Sequence, residues 1–338
     1  MIILPENITI FTGREVFISE ETDLKLPLLM SAAKTVGGQA VIEGVMMRAK
    51  DNLAIAVRRP DGEITVELRP WFSMTPAFMK KPFLRGFPIF METMVNGVKA
   101  LNYSATQALD EEEDGELTTF HLVLTMVIAL GAALGLFVVL PHFFSVAMKW
   151  WGVSGDVDSL SFHIWDGFFK MLMFIGYIVS ISFVPDIKRV FEYHGAEHKA
   201  IWAYEAGGNL EVCDIKKFSR LHPRCGTAFL LFVLVVSILL FTVLVPLIVA
   251  IWAPQGFVLK HLYIVGIKLL LMAPVSAVAY EMIKVSSKHE DKALCKAACL
   301  PGMGMQLLTT REPDEEQIEV ALAALNTAVA ADADGGNS

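Results

Sequence analysis

The chain has 338 residues, 54% of them hydrophobic and only 19% charged, with a net charge of −8. That apolar content exceeds what a soluble globular protein of this size carries. The acidic balance argues against nucleic acid as the main partner.

In chain order, residues 1–35 read as a variable lead-in with a short strand at 8–11. Charges mixed among the apolar residues of the first 30 argue against a signal peptide. Residues 36–48 read as a glycine-punctuated strand and 53–57 as another. The turn dipeptide Asp61-Gly62 leads to 64–68, where Ile64, Val66 and Leu68 alternate with Thr65 and Glu67. The alternation predicts a half-buried strand and, with the turn, a β-hairpin. Residues 71–88, rich in Pro, Phe and Met, are expected near a membrane surface. Apolar positions 90, 91, 94, 95, 98 and 101 then predict an amphipathic helix. These segments form a β-rich unit over 36–110, closed by the acidic linker 110–114.

Four apolar runs follow, at 119–141, 166–184, 227–252 and 261–283. Each has the length of a bilayer-spanning helix. Lys and Arg number twelve before 119, one in 142–165, seven in 185–226, one in 253–260 and five after 283. By the positive-inside rule, both termini and the 185–226 loop face the cytoplasm. Lys170 and Lys268 fall near the outer ends of their runs, where snorkelling is expected. Cys213, Cys225, Cys295 and Cys299 then lie in a reducing compartment, where metal binding or catalysis is the expected use. In the tail, 284–338, residues 286–298 can be helical, Pro301-Gly302 should break the helix, and 314–329 should form another. The last eight residues are expected to be disordered. The expected fold is an α-helical polytopic membrane protein. It has four transmembrane helices and a small cytoplasmic α+β region built from the N-terminal segment, the central loop and the tail.

The central loop carries His194-Gly-Ala-Glu-His198. Histidines four apart share one helix face and can reach one metal ion. The order H-x-x-E-H is that of the inverzincins. Glu197 can be a third ligand or the base that activates water. His222 and Cys225 supply a second pair of ligands, or a cysteine nucleophile activated by His222. Glu43, set close to glycines, suggests a close approach by a ligand or by backbone. Arg48 and Arg224 suit a carboxylate or phosphate, with lipid phosphate the natural anion at a membrane surface. Glu281, at the inner end of the last run, needs pairing, hydration or a metal.

Four strings together resemble the YqhQ-like family of bacterial membrane proteins of unknown function. They are GGQAVIEGVMMR at 37–48, EYHGAEHKAIWAYE at 192–205, HPRCGTAF at 222–229 and MQLLTTREPDEEQIEVALAAL at 305–325. The resemblance covers about 35–326. It implies a metal-dependent enzyme without naming a reaction, and it draws Glu205, Thr309, Thr310 and Glu312 toward the site. The long lead-in, and Cys295 with Cys299, depart from the family pattern. Two functions are expected. One is a metal-dependent hydrolase, with zinc or another divalent ion, acting on a membrane-associated peptide or a lipid phosphate at the cytoplasmic face. The other is a scaffold or transport component, with a protein partner and a structural metal. Three protein ligands with a facing carboxylate would favour the enzyme, and four would favour the scaffold.

Overall fold

A computed structural model describes residues 8–12, 36–109, 119–207, 210–288 and 292–335. Most of the lead-in and the whole acidic linker lie outside the described residues.

Strands β1 (Ile8–Thr12), β2 (Val36–Val41), β3 (Gly44–Ala49), β4 (Asn52–Arg58) and β5 (Ile64–Pro70) form one sheet in the order β1-β5-β4-β3-β2. β1 runs parallel to β5, and every other pair is antiparallel. The single strand expected over 36–48 is two strands joined by a tight turn at Ile42-Glu43. Glu43 sits in that turn with a φ of 48°. A side chain at Gly44 would collide with the Ala56 carbonyl, so the strand leaving the turn requires glycine.

Both faces of the sheet are covered. Val45, Met47, Ala54, Ala56 and Val66 pack on two later helices, α5 (Pro185–Glu205) and α11 (Glu315–Gly335). Met46, Leu53, Ile55 and Val57 pack against Ala100 of α1 (Gly86–Gln107) and against Trp71. This explains why the 64–68 segment is more buried than its alternation predicts: Thr65 faces α1 rather than water.

Among the described residues, four helices are long and apolar enough to cross a membrane. The first joins α2 (Thr119–Leu134), a π-helical turn (Gly135–Val139) and α3 (Leu140–Trp150). It runs past the expected end at 141. The next are α4 (Leu160–Ile181) and, after the central segment, α7 (Gly226–Ile251). The last is α8 (Phe257–Leu270) with α9 (Met272–Lys288). Their inward faces share one apolar core, including Phe162, Phe241, Val245 and Ile264. Their outward faces are also apolar, as at Ile128, Leu239, Val243, Leu247 and Leu262.

Lys170 and Lys268 do not snorkel. Lys268 is 1% exposed, and its Nζ lies 2.8 Å from Asp166 Oδ1 inside the bundle. Lys170 lies 3.7 Å from the other oxygen of the same carboxylate. The lysine stems point into the bundle because Asp166 is there to meet them, a partner that the count of positive charges leaves out.

The central segment is not an open loop. It holds α5 (Pro185–Glu205) and the short α6 (Val212–Ile215). Proline at N1 and Asp186 in the first turn suit the α5 start. In the tail, α10 (Ala293–Thr309) runs straight through Pro301, where a break was expected. The last helix, α11 (Glu315–Gly335), starts in a reciprocal cap. Asp314 Oδ1 accepts the Gln317 N–H at 2.8 Å, and Gln317 Oε1 accepts the Asp314 N–H at 3.0 Å. α11 extends into residues expected to be disordered, because Leu325, Ala328 and Val329 bury against the sheet and α5.

One crossing fixes these layers. The Arg311 N–H donates to the Phe191 carbonyl at 2.8 Å, and the Arg311 carbonyl presses on Gly195 where a side chain would stand. Gly195→Ala should therefore destabilise the protein by about 1–3 kcal/mol or more. Gly304→Ala, whose added carbon meets nothing within 4 Å, should be harmless. Thermal unfolding of the two purified variants in detergent checks this, and equal melting temperatures would refute it.

Candidate metal centre

α5 carries Tyr193, His194, Glu197 and His198 on its buried side. The His194 Nδ1–H donates to the Thr309 carbonyl at 2.8 Å, and the His198 Nδ1–H donates to the Arg220 carbonyl at 2.6 Å. A carbonyl can only accept, so each ring is left with a bare Nε2. This is how ligating histidines are oriented from behind. Cys225, just before α7, places Sγ 3.2 Å from His194 Nε2. One ligand atom from each of His194, His198 and Cys225 falls within 4.8 Å of the others, and all three residues are buried. Zinc ligands at 2.0–2.3 Å from a tetrahedral ion stand roughly 3.3–3.8 Å apart, so small adjustments would close such a shell. His198 Nε2 is buried close to the Cys225 thiol, as a ligand atom would be. The donor set suits the group.

Glu197 is 4% exposed and leans on β2. A side chain at Gly38 would meet Glu197 Cγ at 2.8 Å, so the glycine makes room for the acid. The carboxylate takes a backbone N–H from Ala40, and its Oε2 is buried without a partner. Burial pushes its pKa up to about 8, against smaller opposing effects from His194 and the Ala40 N–H. Burial also lowers that of His198, which favours the neutral, ligating form.

The walls come from the central segment and the tail. The buried Lys199 ammonium donates to the Lys216 carbonyl at 2.9 Å and the Phe218 carbonyl at 2.8 Å, and pairs with Glu312 at 2.9 Å. Trp202 Nε1–H donates to the Leu221 carbonyl at 2.9 Å. Gln306 grips His222 from both sides, its Oε1 accepting the His222 N–H and its amide donating to the His222 carbonyl, each at 2.8 Å. Arg220 bonds to Thr310 through the carbonyl and hydroxyl.

Of the nine residues the sequence proposes, the structure brings four together: His194, Glu197, His198 and Cys225. His222 is adjacent, its ring 5.8 Å from that of His198, but it is not among the converging ligands. Its Nδ1 accepts the Arg224 N–H at 3.2 Å, and its Nε2 lies 3.5 Å from Glu205. The thiol lies against His194 Nε2. Arg224 is ion-paired with Glu205. Glu43, Arg48 and Glu281 lie elsewhere. Glu43 binds Arg189 through both carboxylate oxygens at 2.5 Å and ties the β2–β3 turn to the start of α5. Arg48 is on the sheet face opposite the histidines, 3.7 Å over the Trp71 ring. The two-residue periodicity of β3 sends Met47 toward α5 and Arg48 away from it. Glu281 is paired with Arg85 at 2.6 and 2.8 Å, which meets the cost of an acid at a helix end without a metal. Sequence reasoning missed Lys199, Arg220 and Gln306. Lys199 and Gln306 lie within strings that carry the family resemblance, and Arg220 lies outside them.

A family model described as a protein of unknown function, DUF1385, matches residues 81–331. The chain belongs to that family. It is similar to the uncharacterized protein YqhQ of Bacillus subtilis (strain 168), with 34% identity over 305 residues, 86% of this chain and 91% of that protein. No solved structure matches.

Glu197 gives the site a pH signature. Its folded-state pKa of about 8 lies above the ordinary 4.5. Between those values the folded chain holds a proton that the unfolded chain has released, so stability falls as pH rises through the window. Glu197→Gln removes this effect. Metal-free Glu197→Gln should gain on the metal-free parent from about pH 5 to 8, by at most about 1.4 kcal/mol per pH unit. Paired denaturation curves across that range test it. A pH-independent difference would mean that the buried carboxylate is not the source.

Proposed function

We propose that the four apolar helices span the cytoplasmic membrane of a bacterium, with both termini and α5 on the cytoplasmic side. There, we propose, His194, His198 and Cys225 hold a divalent ion, zinc by the chemistry of imidazole and thiolate donors. The function we infer is hydrolysis of a membrane-associated substrate. The observation that carries this reading is the convergence of three buried ligands beside a buried carboxylate with a vacant oxygen. Three protein ligands leave room for reactants, whereas a structural zinc site is closed by four.

A bound ion would polarise a carbonyl or phosphoryl oxygen and make water a stronger acid. Glu197 Oε2 then takes the proton from the attacking water as its oxygen bonds to the substrate carbon, and delivers it to the leaving group as the old bond breaks. The two carbonyl acceptors orient the histidines, and Lys199 and Gln306 brace the 216–222 backbone around them, without joining the chemistry. Cys225 lies four residues before Phe229, where the apolar span begins, so a substrate lying at the bilayer edge fits this location. Both arginines expected to recognise a phosphate are engaged elsewhere, Arg224 by Glu205 and Arg48 over Trp71. Peptide hydrolysis is therefore favoured over lipid-phosphate chemistry. A structural metal in a scaffold is the competing reading.

Purified full-length protein should carry about one divalent ion per chain by elemental analysis. His194→Ala, His198→Ala and Cys225→Ser should each lower that content, while Glu197→Gln should keep the ion and lose hydrolysis of membrane-embedded peptide substrates. Metal-loaded Glu197→Gln that retains full activity would remove the base and favour the scaffold.

Orientation has its own test. In intact cells, an impermeant maleimide should label Gln255→Cys at the α7–α8 connection and leave the exposed native Cys213 unlabelled until the cells are opened. Labelling in the reverse order would put the histidines outside.

A further inference from the structure

The bundle contains a second group of titratable residues, unrelated to the metal centre. His142 comes from α3, His163, Asp166 and Lys170 from α4, and Lys268 from α8, and each is at least 95% buried. At 1.5 Å per helical residue, Asp166, Lys170 and Lys268 lie about 9 to 17 Å beyond the start of their helices, well inside the apolar stretch. Asp166 is divided between two ammoniums, with Lys268 on Oδ1 at 2.8 Å and Lys170 3.7 Å from Oδ2. Lys170 also stands 4.6 Å over the Phe241 ring of α7, a weak compensation for a buried charge. The other charges at this end are matched in the connections, Lys149 with Asp156 at 2.9 Å and Lys260 with Asp158 at 3.5 Å. Among the described residues, the buried group therefore holds one proton more than neutrality requires.

Beside that extra proton are places to receive one. Lys268 Nζ lies 3.5 Å from His142 Nδ1. An ammonium can only donate, so Nδ1 accepts and the proton of the neutral ring is on Nε2. His261, in the first turn of α8, donates Nδ1–H to the Phe257 carbonyl at 2.7 Å, which leaves its Nε2 bare. The two rings are 5.1 Å apart, centre to centre, and neither Nε2 has a hydrogen-bond partner. His163 donates Nε2–H to the Val157 carbonyl at 3.0 Å, leaving a buried Nδ1 that is likewise unpartnered. An unpartnered donor thus lies in a ring neighbouring that of an unpartnered acceptor, between Lys268 and the half-buried His261 at the bundle end.

We propose that this group is a proton-binding site within the bundle, exchanging its proton with the aqueous phase at the end formed by the 151–159 and 252–256 connections. Lys268 passes a proton to His142 Nδ1, and His142 releases its Nε2 proton toward His261, directly or through water. Lys268 is left as a neutral amine, and Asp166 remains paired with Lys170, so the interior becomes neutral. The exchangeable species is the proton the group already holds, whereas a further cation would add to the positive excess. Burial of two ammoniums on one carboxylate supplies the drive to release it. The bundle thereby registers proton activity on that side, independently of what the histidine–cysteine centre does.

Full-length protein labelled with nitrogen-15 at lysine and histidine, held in lipid nanodiscs, tests this by magnetic resonance. Lys170→Met cancels the excess charge and leaves the matched Asp166–Lys268 pair, so it should fold. In the parent, the His142 and buried lysine signals should move together between about pH 5 and 8, the range in which a histidine relay works. In Lys170→Met that joint movement should disappear, while His142→Phe should leave the lysine signal present but slow its exchange with water. Constant His142 and lysine signals in the parent would overturn the proposal. So would the same joint movement in parent and Lys170→Met, which would make the excess charge irrelevant.

Discussion

Everything near the histidines depends on the chain crossing at Gly195. The Arg311 carbonyl lies where any side chain at 195 would be, and its N–H is bonded to Phe191 one turn earlier. This pins the segment between α10 and α11 across α5. Upstream of the crossing, Thr309 is delivered to the back of His194. Downstream, Asp314 and Gln317 start α11 over the sheet. One residue without a side chain therefore sets both the orientation of the His194 ring and the closure of the core.

A second close approach joins the sheet to the same helix. Gly38 gives up its side chain so that Glu197 can lie against β2, and there the acid is cut off from water. Its raised pKa is a consequence of that shielding, with the Ala40 N–H relieving only part of the cost. Two of the strings that carry the family resemblance, around 37–48 and 192–205, are thus two sides of one contact. The third and fourth meet likewise, through Gln306 and the backbone of His222.

Much of this was legible in the sequence, for physical reasons that also mark its limits. Uninterrupted apolar runs revealed the four long helices, and period-two alternation with Asp61-Gly62 revealed β4 and β5. Histidines four apart predicted one shared helix face, and both rings lie on the buried side of α5. What stayed hidden depends on partners far apart in the chain. Arg85 takes Glu281 away from any metal, and Arg189 takes Glu43. Pro301 sits within α10 because packing on α7 and α9 outweighs a lost hydrogen bond, which local propensity cannot show. Lys170 and Lys268 looked like snorkelling cations because Asp166 is a single letter in an apolar run, and its reach across helices is not written in spacing.

The position of α11 also bears on how the molecule is made. Strands β2–β5 are synthesised first, yet the face carrying Val45, Met47, Ala54 and Val66 is covered by the last helix of the chain. Between the two come four apolar helices. On the ribosome, a finished sheet with one bare apolar face must wait while each of those helices finds its place. An exposed face of this kind invites wrong partners, so biogenesis favours whatever shields it during the wait. A chain stopped between Thr309 and Ile318 keeps every element of the bundle and still lacks α11, which shares with α5 the cover of this sheet face.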